Sequence, residues 1–252
     1  MADETENVRR TVELLWRAPS DVQVRPGPRQ RTTVEAVVRA AVAIADANGL
    51  AQLSMRVLAA DVGLKPMGLY TYVPNREILL ALMIDAVAVE DTAIDTSATI
   101  DAVLRAVADQ YRDEILRHPW LLDVPAWRPV PGPGSSHRYE VQLSAVAAAG
   151  ARSGKHFGDV ELDAVIASLR AFAIGNARSR IDQMVTYANS GMTDEQWWET
   201  AGPLLADAMP EGRYPISSRV GTAVGEEFAG PGNADHAYEF GLTRLIAGII
   251  RG

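Results

Sequence analysis

The chain has 252 residues, of which 48% are hydrophobic and 22% are charged, and it contains no cysteine. This composition is typical of a globular protein, and the lack of cysteine excludes disulfide scaffolds, thiolate metal sites and cysteine nucleophiles. No apolar run approaches the roughly 18 residues that span a bilayer, and the polar N-terminus has no signal-peptide core. We therefore expect a cytoplasmic protein without a membrane segment.

Charge is distributed unevenly along the chain. Seven basic and three acidic residues between Arg25 and Arg76 give this stretch a net charge of +4. Because the whole chain carries −8, the remainder carries −12. A cationic segment attached to an acidic body is typical of a chain in which one part binds a polyanion. Chance clustering on a solvated face is the alternative at this point.

Two helices are predicted within the cationic stretch. The first follows a capping box, with Thr32 as N-cap and Glu35 reaching back to its amide, and it ends at Asn48-Gly49. The second begins after Ser54, a favourable N-cap, and ends at Gly63. It is expected to bury three apolar side chains, those of Val57, Leu58 and Val62.

Two further helices follow. A short third helix is predicted from Pro66 to Val73, because proline suits the first turn of a helix. Pro74 ends it, and Asn75 caps a fourth helix that runs to about Glu90. The second and third helices, joined by a tight glycine-containing turn, form a helix-turn-helix pattern. The third helix carries hydroxyls, aromatic rings and small residues, a composition that suits the major groove of DNA.

The run from Leu53 to Val87 strongly resembles the DNA-binding domain of the tetracycline-repressor (TetR/AcrR) family. The matching positions are Ser54, Gly63-Leu64, Leu69-Tyr70-Thr71-Tyr72-Val73 and Asn75-Arg76-Glu77-Ile78-Leu79. Two further pieces, Arg117-His118-Pro119-Trp120 and residues 238–245, more loosely resemble the C-terminal domain of the tetracycline-repressor-like branch. The resemblance implies an all-α protein: a partly flexible arm at 1–31, a three-helix helix-turn-helix DNA-binding domain at 32–80, and a helical regulatory, ligand-binding and dimerisation domain at 81–252.

The same resemblance implies DNA contacts from the second helix, from the third helix, which is the recognition helix, and from the start of the fourth helix. The residues concerned are Ser54, Arg56, Lys65, Met67, Gly68, Tyr70, Thr71, Tyr72 and Arg76. Ser54 could instead serve only as an N-cap, and Tyr70 could be half core. In the arm, the arginines either contact DNA or belong to a solvated tail; they are Arg25, Arg29 and Arg31.

The acidic remainder is predicted to be helical. An amphipathic helix ends before Pro119, where His118 suits a helix C-terminus, and loops are expected at 129–136 and 221–233. Helices at 160–188 and 238–250 are apolar on more than one face, so each must be covered by another surface. A two-fold interface between two copies would cover them, as the family resemblance also implies. Its residues would be Leu169, Phe172, Leu242, Leu245, Ile246 and Ile249.

A small-molecule pocket is indicated by aromatic side chains mixed with a few polar groups. Its candidate residues are Trp120, Trp127, His137, Phe172, Asn176, Arg180, Met184 and Tyr187. Aromatic residues at helical spacing are also typical of an ordinary core, which is the alternative for each of them.

Sequence patterns of enzymes and metal sites are missing. The four histidines lack metal-ligand spacing, and there is no Walker loop, nucleophile elbow or dinucleotide glycine pattern. We therefore expect no metal, no cofactor and no enzymatic activity. The predicted function is a ligand-responsive transcriptional regulator, a homodimeric repressor released from a two-fold double-stranded DNA operator by a small-molecule effector. The alternative is a helical small-molecule-binding or scaffolding protein that binds no operator.

Overall fold

All regular structure in the computed structural model is helical over the residues that it describes, 2–17, 32–90, 92–125, 128–210 and 212–252. The helices found there are α1 (Ala2–Leu15), α2 (Val34–Asn48), α3 (Met55–Asp61), α4 (Pro66–Leu69), α5 (Arg76–Val87), α6 (Ile100–Arg117), α7 (Pro133–Arg152), α8 (Asp159–Ser190), α9 (Asp194–Ala208), α10 (Pro215–Phe228) and α11 (Ala234–Arg251). A short 3-10 turn, Pro119–Asp123, follows α6. The all-α prediction is confirmed. Of the helices so described, none is both long and apolar enough to cross a membrane.

The chain forms two compact units, Met1–Arg170 and Ala171–Gly252, and the boundary between them lies within α8. This division differs from the one expected at residues 80 and 81. Helix α5 packs against both α2 and α7, so helices α2–α5, here called the head, share one unit with α6 and α7. The expected assignment of DNA binding to 32–80 and of regulation to 81–252 stays a prediction.

Local capping explains where the head helices begin. The Ser54 hydroxyl accepts a hydrogen bond from the Val57 amide at 3.2 Å, and the Asn75 side chain accepts one from the Ile78 amide at 2.8 Å. Both predicted N-caps are confirmed. Each satisfies an amide that the first helical turn leaves without a partner.

Three details of the head differ from the prediction. Thr33 rather than Thr32 caps α2, because its hydroxyl accepts from the Ala36 amide, and the Glu35 carboxylate pairs with Arg17. Helix α4 ends at Leu69, and the chain continues in tighter turns such as the 2.9 Å bond from the Tyr72 amide to the Leu69 carbonyl. Val57 is exposed on the outer face of α3, while Leu58 and Ala59 are buried.

Helix α1 occupies part of the segment expected to be a flexible arm. It packs against α5 and buries Thr11 and Leu15. The Asn75 side chain, which caps α5, donates to the side-chain oxygen of Asn7 at 2.7 Å, and the Trp16 indole donates to the Pro131 carbonyl at 3.1 Å. Residues 18–31 lie outside the described residues, so the DNA contacts predicted for the arm remain predictions: those of Arg25, Arg29 and Arg31.

Helix α7 is attached to α5 through its N-terminus. The Asp85 carboxylate accepts from the amides of Gly134 and Ser135, at 3.1 and 2.8 Å. It therefore does the work of an N-cap, which Gly132 cannot do because it has no side chain. A Cβ at Gly134 would collide with the Asp85 carbonyl oxygen, so the contact also requires glycine.

Both predicted loops are wrong in part. Helix α7 begins at Pro133, because proline at the first helical position has no amide to leave unpaired. Helix α10 continues through Gly225, where a Cβ would collide with the Trp198 ring, so this glycine serves close packing rather than a turn. The predicted helices at 160–188 and 238–250 are confirmed as α8 and α11, each slightly longer.

Candidate nucleic-acid interface

Helices α3 and α4 are joined by a turn that only glycine adopts without strain. Gly63 has φ +68°, and the Leu64 amide closes the turn on the Ala59 carbonyl at 2.8 Å. Leu58, Leu69 and Val73 are fully buried and fix the two helices on the head core. The outer faces of both helices are consequently held at a defined place on the head.

The outer face of this helix pair carries most of the predicted DNA contacts. Exposed positions there are Ser54, Arg56, Lys65, Met67, Tyr70 and Thr71, with Met67 77% exposed. The Thr71 hydroxyl donates to the Gly68 carbonyl at 2.7 Å. A Cβ at Gly68 would meet no atom within 4 Å, so packing within the chain does not require glycine at this position. These exposed residues supply two cations, hydroxyl groups and apolar side chains.

Two of the predicted contacts are more deeply placed. Tyr72 is half-buried against the head core. Arg76 is turned inward: its guanidinium donates to the Leu53 carbonyl at 2.8 Å and to the Leu50 carbonyl at 3.1 Å. Its guanidinium therefore holds the connection between α2 and α3, and the predicted phosphate contact of Arg76 stays a prediction.

Trp120, a candidate pocket residue, lies in a core, and its predicted ligand contact stays a prediction. It is 2% exposed, packs in the same core as the head, and donates its indole N–H to Asp46 of α2 at 2.8 Å. Trp127 lies outside the described residues. His137 is exposed on α7, in the first unit, whereas the other five candidate ligand residues lie on α8 within the second unit.

The α8 candidates have partners of their own in the second unit. Phe172 stacks on Tyr238 of α11 with 5.6 Å between ring centroids, and its ring lies where a Cβ at Gly241 would be. The Asn176 side chain donates to the Ala234 carbonyl at 2.7 Å. Arg180 donates to Gln183, whereas Met184 and Tyr187 are exposed. Helix α11 is thus attached to α8 by aromatic stacking and by a hydrogen bond to its first turn.

Three predicted dimer residues are unavailable to a second copy. Leu169, Leu242 and Ile246 are buried within the single chain, so their assignment to an interface is corrected. Phe172, Leu245 and Ile249 are only half-buried. The apolar character of α8 and α11 is therefore explained in part by packing within one protomer.

Comparison with known proteins finds similar transcriptional regulators. Residues 95–251 match the family model described as "Tetracyclin repressor-like, C-terminal domain". The chain is 36% identical over 251 residues to the HTH-type transcriptional repressor DrrR1 of Streptomyces coeruleorubidus, covering 96% of this chain and 86% of that relative. It is also 32% identical over 164 residues to an HTH-type transcriptional regulator of Saccharopolyspora erythraea, covering 63% of this chain and 67% of the relative.

Solved structures share the fold. The Streptomyces coelicolor TetR family protein ActR in complex with (S)-DNPA aligns with a TM-score of 0.69 at 24% identity, over 89% of this chain and 100% of that one. ActR in complex with actinorhodin aligns with a TM-score of 0.66 at 24% identity, over 90% of this chain and 99% of that one.

The inward position of Arg76 predicts a stability effect. Arg76→Ala removes two charge-assisted hydrogen bonds to carbonyls of buried residues and should lower the free energy of unfolding by about 2–3 kcal/mol. Arg56→Ala, at an exposed position of α3, should change it by less than about 0.5 kcal/mol. Urea unfolding of the two variants measures the difference, and equal stabilities would contradict the assigned role of Arg76.

Proposed function

Because the chain belongs to the tetracycline-repressor family of transcriptional regulators, we propose that it is a repressor that a small-molecule effector releases from a two-fold DNA operator. Members of this family regulate transcription by binding DNA operators and small molecules, and it is not a family of enzymes. The observation that carries the proposal is the exposed face of α3 and α4, held on a buried core by Leu58, Leu69 and Val73.

The composition of this face supports binding in a major groove. Arg56 and Lys65 supply cations for phosphates, and Met67 can meet the methyl groups of thymine. Tyr70 and Thr71 supply hydroxyls at the end of α4, which reach base edges or phosphates. The open space at Gly68 lets the backbone of α4 approach another surface closely.

Exposed apolar side chains support a homodimer formed through the second unit. They include Leu204 of α9 and Ile216 of α10, which are 64% and 68% exposed, together with the half-buried Leu245 and Ile249 of α11. Apolar surface of this extent in a regulatory unit is typical of protein–protein interfaces. A two-fold dimer would present two recognition helices to two half-sites.

We assign the effector to the exposed stripe of α8. Arg180, Met184 and Tyr187 recur at helical spacing and combine a cation with apolar and aromatic surface, which suits an aromatic molecule that carries an acidic group. The fold is shared with ActR, whose solved complexes contain actinorhodin and (S)-DNPA.

DNA binding should depend steeply on salt. The slope of log K against log salt changes by roughly 0.9 for each phosphate contact, so Arg56→Ala and Lys65→Ala should each flatten it by about one contact per subunit. Arg219→Ala, at an exposed position of α10 in the second unit, is the matched control and should leave the slope unchanged. Fluorescence anisotropy with the duplex upstream of its own gene measures this. A slope near zero for the native chain would favour the scaffolding alternative.

The dimer should depend on Leu245. Leu245→Glu places an unpaired charge in the interface and should shift the chain to monomer and abolish operator binding, with the head still folded. Thr243→Glu is the matched control, because two residues along a helix place it on nearly the opposite face. Sedimentation velocity measures the oligomeric state, and an intact Leu245→Glu dimer would exclude this part of α11 from the interface.

Effector and operator should oppose each other by the same factor. Linkage requires that an effector that weakens operator binding is itself bound more weakly by the same factor when the operator is present. Tyr187→Ala should weaken effector binding by roughly 2- to 10-fold, the loss of one aromatic contact, and leave effector-free DNA binding unchanged. Calorimetric titration of aromatic acids with and without operator tests both points. Unchanged affinity in Tyr187→Ala would remove α8 from the effector site.

A further inference from the structure

His118 is held by carboxylates on both sides of its ring. Its side chain is 4% exposed, Nδ1 lies 2.8 Å from Oδ1 of Asp46, and Nε2 lies 2.9 Å from Oε2 of Glu90. Asp46 belongs to the last turn of α2, Glu90 follows α5, and His118 ends α6. One imidazole therefore connects three elements of the first unit.

This geometry favours a doubly protonated ring. A neutral imidazole has one N–H donor and one lone pair, so one of the two carboxylate oxygens would face a lone pair at hydrogen-bond distance. The imidazolium donates to both. Arg117 donates to the same Oε2 of Glu90 at 3.1 Å, so two cations and two carboxylates balance in the cluster.

The surrounding charges favour the protonated form of the His118 ring. Among the described residues, the charged groups facing the ring are Asp46 and Glu90, while Glu114 on α6 is turned to Arg138. Burial alone would lower the pKa of His118, but the hydrogen bonds that its ring donates to Glu90 and Asp46 outweigh it and raise the pKa above its ordinary value. Burial would raise the pKa of Glu90, and the bonds from His118 and Arg117 lower it instead.

The cluster also fixes a helix of the head. Oδ1 of Asp46 accepts a second hydrogen bond, from the Trp120 indole at 2.8 Å, so the end of α2 is bound to the residues that follow α6. Helix α2 packs against α3, and α3 packs against α4. Displacing the end of α2 therefore displaces the pair of helices that carries the DNA-binding face.

We propose that His118 is a positioning residue for DNA binding, which holds α2 in the binding-competent place while both ring nitrogens carry protons and releases it when one proton is lost. The proposal rests on the proposed function and adds a residue-specific pH dependence to it. Since the pKa of the folded state is raised, the contribution of the cluster is complete below about pH 6.5 and is lost as the pH rises through the folded pKa. DNA affinity should fall as pH rises.

The Glu90→Gln variant distinguishes the effect of His118 protonation on DNA binding from the effect of packing around the ring. A glutamine amide can accept from an imidazole N–H or donate to a bare ring nitrogen, so it satisfies both states of His118. Its DNA affinity should be close to that of the native chain at pH 6 and flat up to pH 9. His118→Gln should bind more weakly and also without pH dependence, and the exposed His156→Gln should retain the native profile.

The measurement is anisotropy at constant ionic strength, with a duplex selected by the native chain from a random-sequence library. The native affinity should fall by up to about tenfold per pH unit for each proton lost above the His118 pKa. A flat native profile, a rise with pH, or a Glu90→Gln profile as steep as the native one would overturn the proposal. Thermal unfolding of each variant confirms that the head is folded.

A second readout needs no DNA. The ¹⁵N shifts of the His118 ring in the full chain should show two protonated nitrogens to a pH above 6.5. A ring that titrates at or below its ordinary pKa overturns the proposal whatever the DNA result. If no duplex is selected at any pH, the proposed function fails and the positioning role fails with it, while the ring shifts still report separately on the cluster.

Discussion

The hydrogen-bonded end of α2 is the constraint on which the placement of the head depends. One carboxylate oxygen of Asp46 accepts from both His118 and Trp120, so the head is bound to the residues after α6 through a single group. The Asp46 side chain is itself 31% exposed, and it joins α2 to the buried side chains of His118 and Trp120. Asp85, which caps α7 from α5, supplies a second attachment of the same kind. These two carboxylates add polar attachments to the packing of α5 on α7 and of Trp120 in the head core.

The proposed DNA-binding face consists of side chains that folding leaves exposed. Arg76 is the counterexample: its position in the sequence suits a phosphate contact, but the carbonyls of Leu50 and Leu53 use its guanidinium. Arg56 and Lys65 lie on the outer side of the same helix pair, where the solvent or a partner must satisfy them. Residue type alone therefore does not distinguish a phosphate contact from a structural cation.

The features that were predicted correctly from sequence are those determined by interactions between residues close together in the chain. Ser54 and Asn75 cap their helices through amides three residues away, and the turn at Gly63 follows from its backbone conformation. The roles of Arg76, Trp120 and Leu242 depend on residues distant along the chain, so periodicity could not assign them. Helix α1 is not evident from the sequence, because an acid-rich amphipathic segment resembles a solvated tail. Its packing against α5 is a contact between residues distant along the chain. Gly225 suggests a loop in the sequence, whereas in the structure it allows α10 to pack closely on Trp198 of α9. No local pattern reveals this contact between two helices.

The surface of α4 favours the proposed regulator over a scaffold whose head has no partner. The exposed apolar side chain of Met67 adds little to the stability of the fold. The glycine at position 68 weakens a helix by roughly 0.5–1 kcal/mol relative to alanine. Neither residue is required by packing within the chain, since Met67 is 77% exposed and Gly68 faces open space. Both fit a helix whose backbone must approach a groove and whose side chain must meet apolar base edges. The proposed binding of α4 to DNA would explain the stability that this helix gives up.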